Sequence, residues 1–476
     1  MENVAHMQSI NRREMLKASA CGFGSLAFAG LSSQGDAATG STALLERSPM
    51  FAPRAKRVIF IFMAGGPSHV DTYDFKAELI KNHGKDYDFT GVRFGTFGKK
   101  SKRKLMKPLW GFKQYGQCSQ HVSELFPYTA QMVDDLCFIK SMQTEGVAHG
   151  PSTLFMHTGA TNLMRPSMGS WVTYGLGTEN QNLPGFVVLQ PSASKGGPRN
   201  YSSAFLPAIH QGTAIGKAGQ PADEATLRNA VNASLSRAEQ ERNFRFLQRL
   251  NRTQLANRRQ DDQLDAVVES YELAWRMQMN APQLFDLSGE PKFVRERYGI
   301  GSKATDEFGK QCLMGRRLAE AGVRFIQLNY ADESATPRWD QHSNMPKHMD
   351  HARATDKPVA GLLADLKERG LLEETLVWWS GEFGRTPFSQ NGSGRDHNPR
   401  GFTTWLAGAG VRPGFSYGST DEIGDTAVVN PVHMHDLHAT ILHILGMDHE
   451  RLTYRHAGLD VRLTGVAGEV VHGILS

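Results

Sequence analysis

Cysteine is scarce in this chain, with four residues in 476, so no disulfide framework can hold it together. Cys21 falls in a leader-like stretch, and only Cys118, Cys137 and Cys312 would remain after its removal. Beyond the N-terminal stretch, no apolar run approaches the ~20 residues that a membrane-spanning helix needs. Charge of one sign is lacking too: 53 Lys and Arg against 48 Asp and Glu leave a formal charge of +5. The basic residues are dispersed, apart from Gly98-Lys-Lys-Ser-Lys-Arg-Lys104. With no aromatic interleaving or base-reading motif beside it, that run reads as a solvated loop, and nucleic acid is excluded as a partner. Repeats and low-complexity tracts are not evident.

What is present is length and apolar content. A chain of 476 residues that is 40% hydrophobic and 21% charged is either two domains or one large sheet with helical insertions. The 48 glycines point to many tight loops. Asn11-Arg-Arg-Glu-Met-Leu-Lys17 precedes an uncharged stretch, Ala18 to Ser33, and small residues near Ala37-Ala38. The pattern resembles a twin-arginine export signal over residues 1–38, which a translocase for folded proteins would read. The expected location is therefore periplasmic or otherwise exported, with no membrane span in the mature protein.

Arg57-Val-Ile-Phe-Ile-Phe-Met63 is a continuous apolar run, and Phe186–Leu189, Val323–Leu328 and Thr375–Trp379 are similar. Such runs separated by helical patterns predict an α/β domain over residues 50–476. Its central sheet is expected to be mostly parallel, with helices on both faces. Ala354 to Gly370 has apolar residues at helical spacing and a terminal glycine, which predicts a helix feeding the strand at Thr375. Residues 221–280 are polar, with leucines and aromatics at helical spacing, and read as a helical insertion.

In an open parallel sheet, ligands bind at the loops beyond the carboxyl ends of the strands. Gly65-Gly-Pro-Ser-His-Val-Asp71 follows the first strand, and Trp339-Asp-Gln-His342 follows the strand at Val323. Glu382-Phe-Gly-Arg385 and then Gly394-Arg-Asp-His397 follow the strand at Thr375. Carboxylates mixed with imidazoles suit Zn or a similar borderline ion, whereas all-oxygen sites favour Ca or Mg. The expectation is that Asp340, His342, Glu382 and His397 converge on one site.

These segments, with Met63-Ala-Gly-Gly-Pro-Ser-His-Val-Asp-Thr-Tyr-Asp74, Arg165-Pro-Ser-Met-Gly-Ser-Trp171 and Leu459-Asp-Val-Arg-Leu-Thr464, resemble the DUF1501 family. That family of twin-arginine-exported proteins is grouped with the alkaline phosphatase and sulfatase superfamily. The resemblance implies an alkaline-phosphatase-like fold with one or two divalent ions, Zn or Mn/Ca-like. It also implies Asp340, His342, Glu382 and His397 as metal ligands, with Asp71 or His69 completing the set. Sulfatases carry Cys or Ser in Cys/Ser-x-Pro-x-Arg, and the counterpart here is His149-Gly-Pro-Ser-Thr153. The proline is kept, while the nucleophile and the arginine are not. Ser152 or Thr153 then stands as an alternative nucleophile and His149 as a metal ligand or acid/base group. Arg385 and Arg395 are expected either as clamps on a phosphate or sulfate oxyanion or as structural ion pairs. His433 or His435 would line the site, while His348, His351, His438 and His443 would pack around it or lie at the surface. The function so implied is an exported metal-dependent hydrolase of phosphate or sulfate esters, acting on a small molecule or a polysaccharide. The alternative is a non-catalytic cell-envelope protein that keeps the fold and part of the metal site.

Overall fold

The structure is a computed structural model that describes residues 44–89, 102–222, 234–256, 262–280, 282–390 and 392–476. The leader-like segment, residues 1–38, lies outside them. In chain order the elements that position the site are β1 (Arg57–Met63), β2 (Leu136–Gln143), α1 (His149–Thr158) and α2 (Met168–Leu176). Next come β3 (Phe186–Leu189), β4 (Thr213–Ile215), α3 (Arg237–Ala256), α4 (Asp262–Asn280), α5 (Asp306–Glu320), β5 (Phe325–Tyr330) and α6 (His348–Glu368). The remainder are β6 (Thr375–Ser380), β7 (Gly384–Ser389), β8 (Arg395–Asn398), β9 (Phe402–Gly408), β10 (Phe415–Tyr417), β11 (Val432–His433) and α7 (Met434–Ile444).

Nine strands form the central sheet in the order β10-β2-β9-β6-β1-β5-β3-β4, with β11 also on β2. β1 lies at its middle, parallel to β6 on one side, with Val58 opposite Leu376, and to β5 on the other, with Met63 opposite Tyr330. β9 runs antiparallel to both β6 and β2, and the other pairings are parallel. The fold is thus α/β with a mostly parallel sheet.

Every residue of β1 is buried, because helices cover both faces of the sheet and side chains alternate between them. Ile59, Ile61 and Met63 join a core with Phe308 and Leu313 of α5 and Leu362 and Leu366 of α6. Val58, Phe60 and Phe62 join another with Phe155 of α1, Trp171 of α2 and Ile441 of α7. Phe60 stacks on Trp378 of β6 at 3.8 Å between ring centroids, and truncating such a ring costs about 3–5 kcal/mol.

Some expected boundaries shift. The strand expected from Val323 begins at Phe325, because Arg324 turns its guanidinium to Glu179 and Glu46 at 3.1 and 3.2 Å. The helix expected from Ala354 starts at His348 and holds Pro358 in its interior, and Gly370 follows it in the left-handed region at φ 70°. Part of the basic run expected as a loop, Lys102–Lys104, is a short strand antiparallel to Asp86–Asp88, so its charge meets an acidic neighbour. Within residues 221–280, α3 and α4 lie outside the sheet. Phe244 stacks on Trp275 between them, and Leu273 and Met277 pack on Leu44 and Ile209.

Candidate metal centre

The carboxyl ends of β1, β2, β5 and β6 open onto one edge of the sheet, and each is followed by a loop that supplies part of the cluster. After β1 the chain turns at Gly65, with φ 111°, and a Cβ there would come within 2.7 Å of the backbone nitrogens of Trp339 and Asp340. This closeness brings the β1 and β5 loops into contact. After β6 the chain forms the antiparallel β7–β8 hairpin, with Arg385 opposite His397. The hairpin is tied to the β5 loop by a hydrogen bond from Arg395 N to Gln341 O of 3.0 Å. A Cβ on Gly394 would stand 1.9 Å from the His342 carbonyl carbon, so only glycine fits there. After β2 a five-residue loop leads to α1, whose first residue is His149.

Asp340, His149, His342 and His397 come together at this edge, with their ligand atoms all within 4.8 Å of one another. Asp340 Oδ1 lies 2.7 Å from His342 Nε2 and 3.2 Å from His397 Nε2, and its Oδ2 lies 3.1 Å from His149 Nε2. Each imidazole is anchored through its other nitrogen. His149 Nδ1 donates to Glu382 Oε1 at 2.5 Å, His397 Nδ1 donates to Val147 O at 2.7 Å, and His342 Nδ1 donates to Gln390 Oε1. Assigning the Nδ1 proton to these acceptors leaves three Nε2 atoms turned inward on one carboxylate, as metal-ligating histidines are held.

The donor set passes a test for fitting a cation. Three imidazoles and one carboxylate are the ligand types of zinc and similar ions. His149 Nε2 is close to Asp340 Oδ2 but off the angle of a hydrogen bond, so it is a buried polar atom without an aligned partner. A cation among the four atoms would give it one.

The electrostatics follow from burial and charge. Burial alone pushes the Asp340 carboxyl upward, but the Arg385 guanidinium, followed by bonds from His149, His342 and His397, holds it far below the usual carboxylate range. Burial likewise opposes ionisation of Glu382, yet its bond from His149 keeps its pKa below the ordinary value. Burial disfavours charge on His149, but Asp340 and Glu382 on either side raise its pKa. His397 moves down to about 4, chiefly through burial, against the pull of Asp340 and with Arg385 and His149 adding to the fall. Its lone pair is therefore available at neutral pH.

Other expected residues are placed differently. Glu382 stands behind His149 instead of beside the cluster, accepting from Gly65 N at 3.0 and 3.1 Å as well as from the imidazole. Asp71 is drawn away by Arg395 Nε at 2.7 Å, Ser68 Oγ at 2.5 Å and Leu109 N at 3.1 Å. His69 bonds Gly424 O at 2.8 Å, and burial lowers its pKa. Neither Asp71 nor His69 belongs to the cluster found among the described residues.

The clamp reading of the two arginines is corrected in favour of structural ion pairs. Arg385 is fully buried and directs its donors to Gly65 O, Gly66 O, Trp339 O, Arg395 O and Asp340. Arg395, also fully buried, forks onto Asp71 and bonds the carbonyls of Thr386, Met106 and Lys107. With these donors committed to the fold, neither guanidinium is left to grip a ligand.

On α1, the Ser152 hydroxyl is fully buried under Gly146 and has no hydrogen-bond partner, while Thr153 reaches the wall of a neighbouring pocket. His348 Nε2 accepts from Ser68 N at 3.2 Å, His435 bonds Gly159 O and His438 bonds Met156 O, so these three tie loops together. His433 caps α7, and His351 meets the Tyr330 hydroxyl at 3.0 Å. Sequence reasoning missed Gln390 and the Val147 carbonyl, which orient two of the imidazoles. A lone glutamine and a backbone atom carry no signal of such a role.

Fold and geometry together define an α/β protein with a three-histidine, one-aspartate cluster, buried except at His342, at the carboxyl edge of its sheet. The chain belongs to the family described as "Protein of unknown function (DUF1501)", whose profile matches residues 55–475. A search of curated proteins found no match. Among solved structures, the lipoteichoic acid synthase LtaP from Listeria monocytogenes is similar at 9% identity and a TM-score of 0.35, over 88% of this chain and 78% of that one. A protein in the alkaline phosphatase superfamily from Vibrio parahaemolyticus is similar at 10% identity and a TM-score of 0.33, over 92% of this chain and 76% of that one. A TAB5 alkaline phosphatase mutant with Mg bound is similar at 11% identity and a TM-score of 0.35, over 84% of this chain and 99% of that one. Scores of this size carry no argument about activity. No described helix is long and apolar enough to cross a membrane.

Proposed function

We propose that this protein is an exported, metal-dependent hydrolase of phosphate or sulfate esters. The observation that carries the reading is the shared orientation of His149, His342 and His397, each anchored through Nδ1 and turning Nε2 toward Asp340. Those four residues would hold one divalent cation, of the zinc or manganese type by their chemistry. When bound, the ion supplies positive charge to an ester oxygen as a Lewis acid. The chain's own part is positional. Glu382 fixes the tautomer of His149, Arg385 holds Asp340 ionised, and His342, at 25% exposure, is the most exposed of the four. Thr153 is also buried, but as a pocket-lining residue it is better placed than Ser152 to meet a substrate.

A second reading, a non-catalytic envelope protein that keeps the cation site, is favoured by the two committed arginines and the occluded Ser152. Metal analysis of the purified mature protein, followed by assays with p-nitrophenyl phosphate, bis-p-nitrophenyl phosphate and p-nitrophenyl sulfate, separates the two. Turnover that falls by orders of magnitude in His342→Ala, with the fold retained, is the expected result. Stoichiometric metal with no turnover selects the second reading. Export through the twin-arginine translocase rests on Arg12-Arg13, and replacing both with lysine should leave the protein in the cytoplasm with its leader intact. Undiminished export would remove that part of the proposal.

A further inference from the structure

A pocket of about 30 Å³ opens to solvent between the ends of β3 and β5 and the segment 191–201, and it is joined to the cluster through Glu382, the hydrogen-bond partner of His149. Glu382 and Thr153 are among its lining residues. Its lining mixes apolar groups, among them Phe62 and Pro191, with the amides of Asn200, Gln327 and Asn329, and the acceptors are the informative part. Asn200 is only 9% exposed, and its Nδ2 donates to Lys195 O at 3.1 Å, which fixes the other amide atom as oxygen. That Oδ1 is buried and has no hydrogen-bond partner. Gln327 sends its amide protons to His157 Nε2 at 2.9 Å and Asn329 Oδ1 at 2.8 Å, leaving its carbonyl oxygen as the group it can offer.

Buried acceptors call for a ligand that brings protons, because an unsatisfied buried oxygen is costly. A phosphate or sulfate group at neutral pH brings none, whereas an alcohol hydroxyl does. At the rim stands Lys195, partly exposed, and its ammonium has no hydrogen-bond or ion-pair partner among the described residues. Lys195, Gly196 and Gly197 all have positive φ, of 49°, 102° and 53°. For a lysine this is a strained conformation that surrounding contacts must enforce, and such strain gathers where a ligand is held.

We propose that this pocket recognises a hydroxylated arm on the alcohol side of the ester, in the manner of a polyol or sugar. Asn200 Oδ1 accepts a ligand hydroxyl proton, and Lys195 donates to a ligand oxygen at the rim. The assignment rests on the hydrolase reading and names the substrate class for the same site.

Calorimetry on the metal-loaded full chain tests it with glycerol 1-phosphate and propyl phosphate, which differ only by two hydroxyls. The wild type should bind glycerol 1-phosphate about tenfold more tightly, the worth of one or two net hydrogen bonds. Asn200→Ala should bring the two affinities within about twofold while metal content is unchanged. Should that variant not fold, Lys195→Met, altered at a part-exposed rim position, should weaken glycerol 1-phosphate more than propyl phosphate. Equal affinities in the wild type, no binding of either ester, or a preference that survives in the folded variants would overturn the pocket assignment. Hydrolysis of p-nitrophenyl phosphate, which carries no such hydroxyls, tests the hydrolase reading separately.

Discussion

Two buried carboxylates sit at the same edge of the sheet and face opposite fates. Asp71 meets one guanidinium in a fork, one hydroxyl and one backbone N–H. Its partner Arg395 bonds three carbonyls besides. Asp340 also meets a guanidinium, but its other neighbours are three imidazoles. An arginine in a protein stays protonated and accepts nothing, whereas an imidazole can give up its proton and offer a lone pair. The Asp71 pair is therefore closed to any ligand, while the Asp340 cluster can exchange protons for a cation. What separates a strut from a site here is the chemistry of the partners, since burial and the carboxylate are common to both.

The largest effect is expected at the strut. Asp71→Ala leaves Arg395 charged and unpaired at a position with no exposure, and losing one partner of such a pair costs about 3–5 kcal/mol. Denaturant unfolding should show that loss, with metal content per folded molecule unchanged. An effect below about 1 kcal/mol would mean that the pair is no strut.

Glu382→Gln should act in the opposite way. Glutamine keeps the size of the side chain but no longer fixes the Nδ1 proton of His149 with a full charge. Metal affinity should fall about 10–100-fold, read by chelator competition, with little change in the melting temperature. Unaltered affinity would detach Glu382 from the cluster.

A smaller effect comes from proton linkage at His149, whose pKa is raised above 6.5 by Asp340 and Glu382 against the effect of burial. In the metal-free protein the imidazolium stabilises the fold fully below pH 6.5, and that contribution is lost as pH rises through the raised folded value. A cation must displace this proton. Apparent metal affinity should thus climb about tenfold per pH unit across the same window, with release of about one proton. Titration in buffers of different ionisation enthalpy counts that proton, and a count of zero at pH 6 would contradict the arrangement.

The mostly parallel sheet was legible because β1, β3, β5 and β6 are apolar runs buried on both faces. β2 and β9 were not, since LCFIKSMQ and FTTWLAG interleave polar residues with apolar ones. Asp340, His342 and His397 were readable as acid and imidazole residues soon after strands, although His397 itself lies in β8. The roles of Arg385 and Arg395 were not. What decides them is a set of backbone carbonyls, at Gly65, Gly66, Trp339, Thr386, Met106 and Lys107, and a carbonyl has no letter in the sequence. His149 gave half a signal, through the resemblance of His149-Gly-Pro-Ser-Thr153 to the sulfatase motif. Its connection to Glu382 spans 233 positions and emerges only when the sheet closes.

Gly394 bears on how this cluster can be lost. It contributes no ligand, charge or hydrogen-bonding side chain, yet one methyl group on it would collide with the backbone of His342. A chain carrying alanine there would retain all four candidate ligands in its sequence and still be unable to seat them. A homologue judged only by its histidines and aspartate would pass as intact when its hairpin no longer docks. Whether a relative inherits the cluster is therefore to be read as much from a missing side chain as from those present.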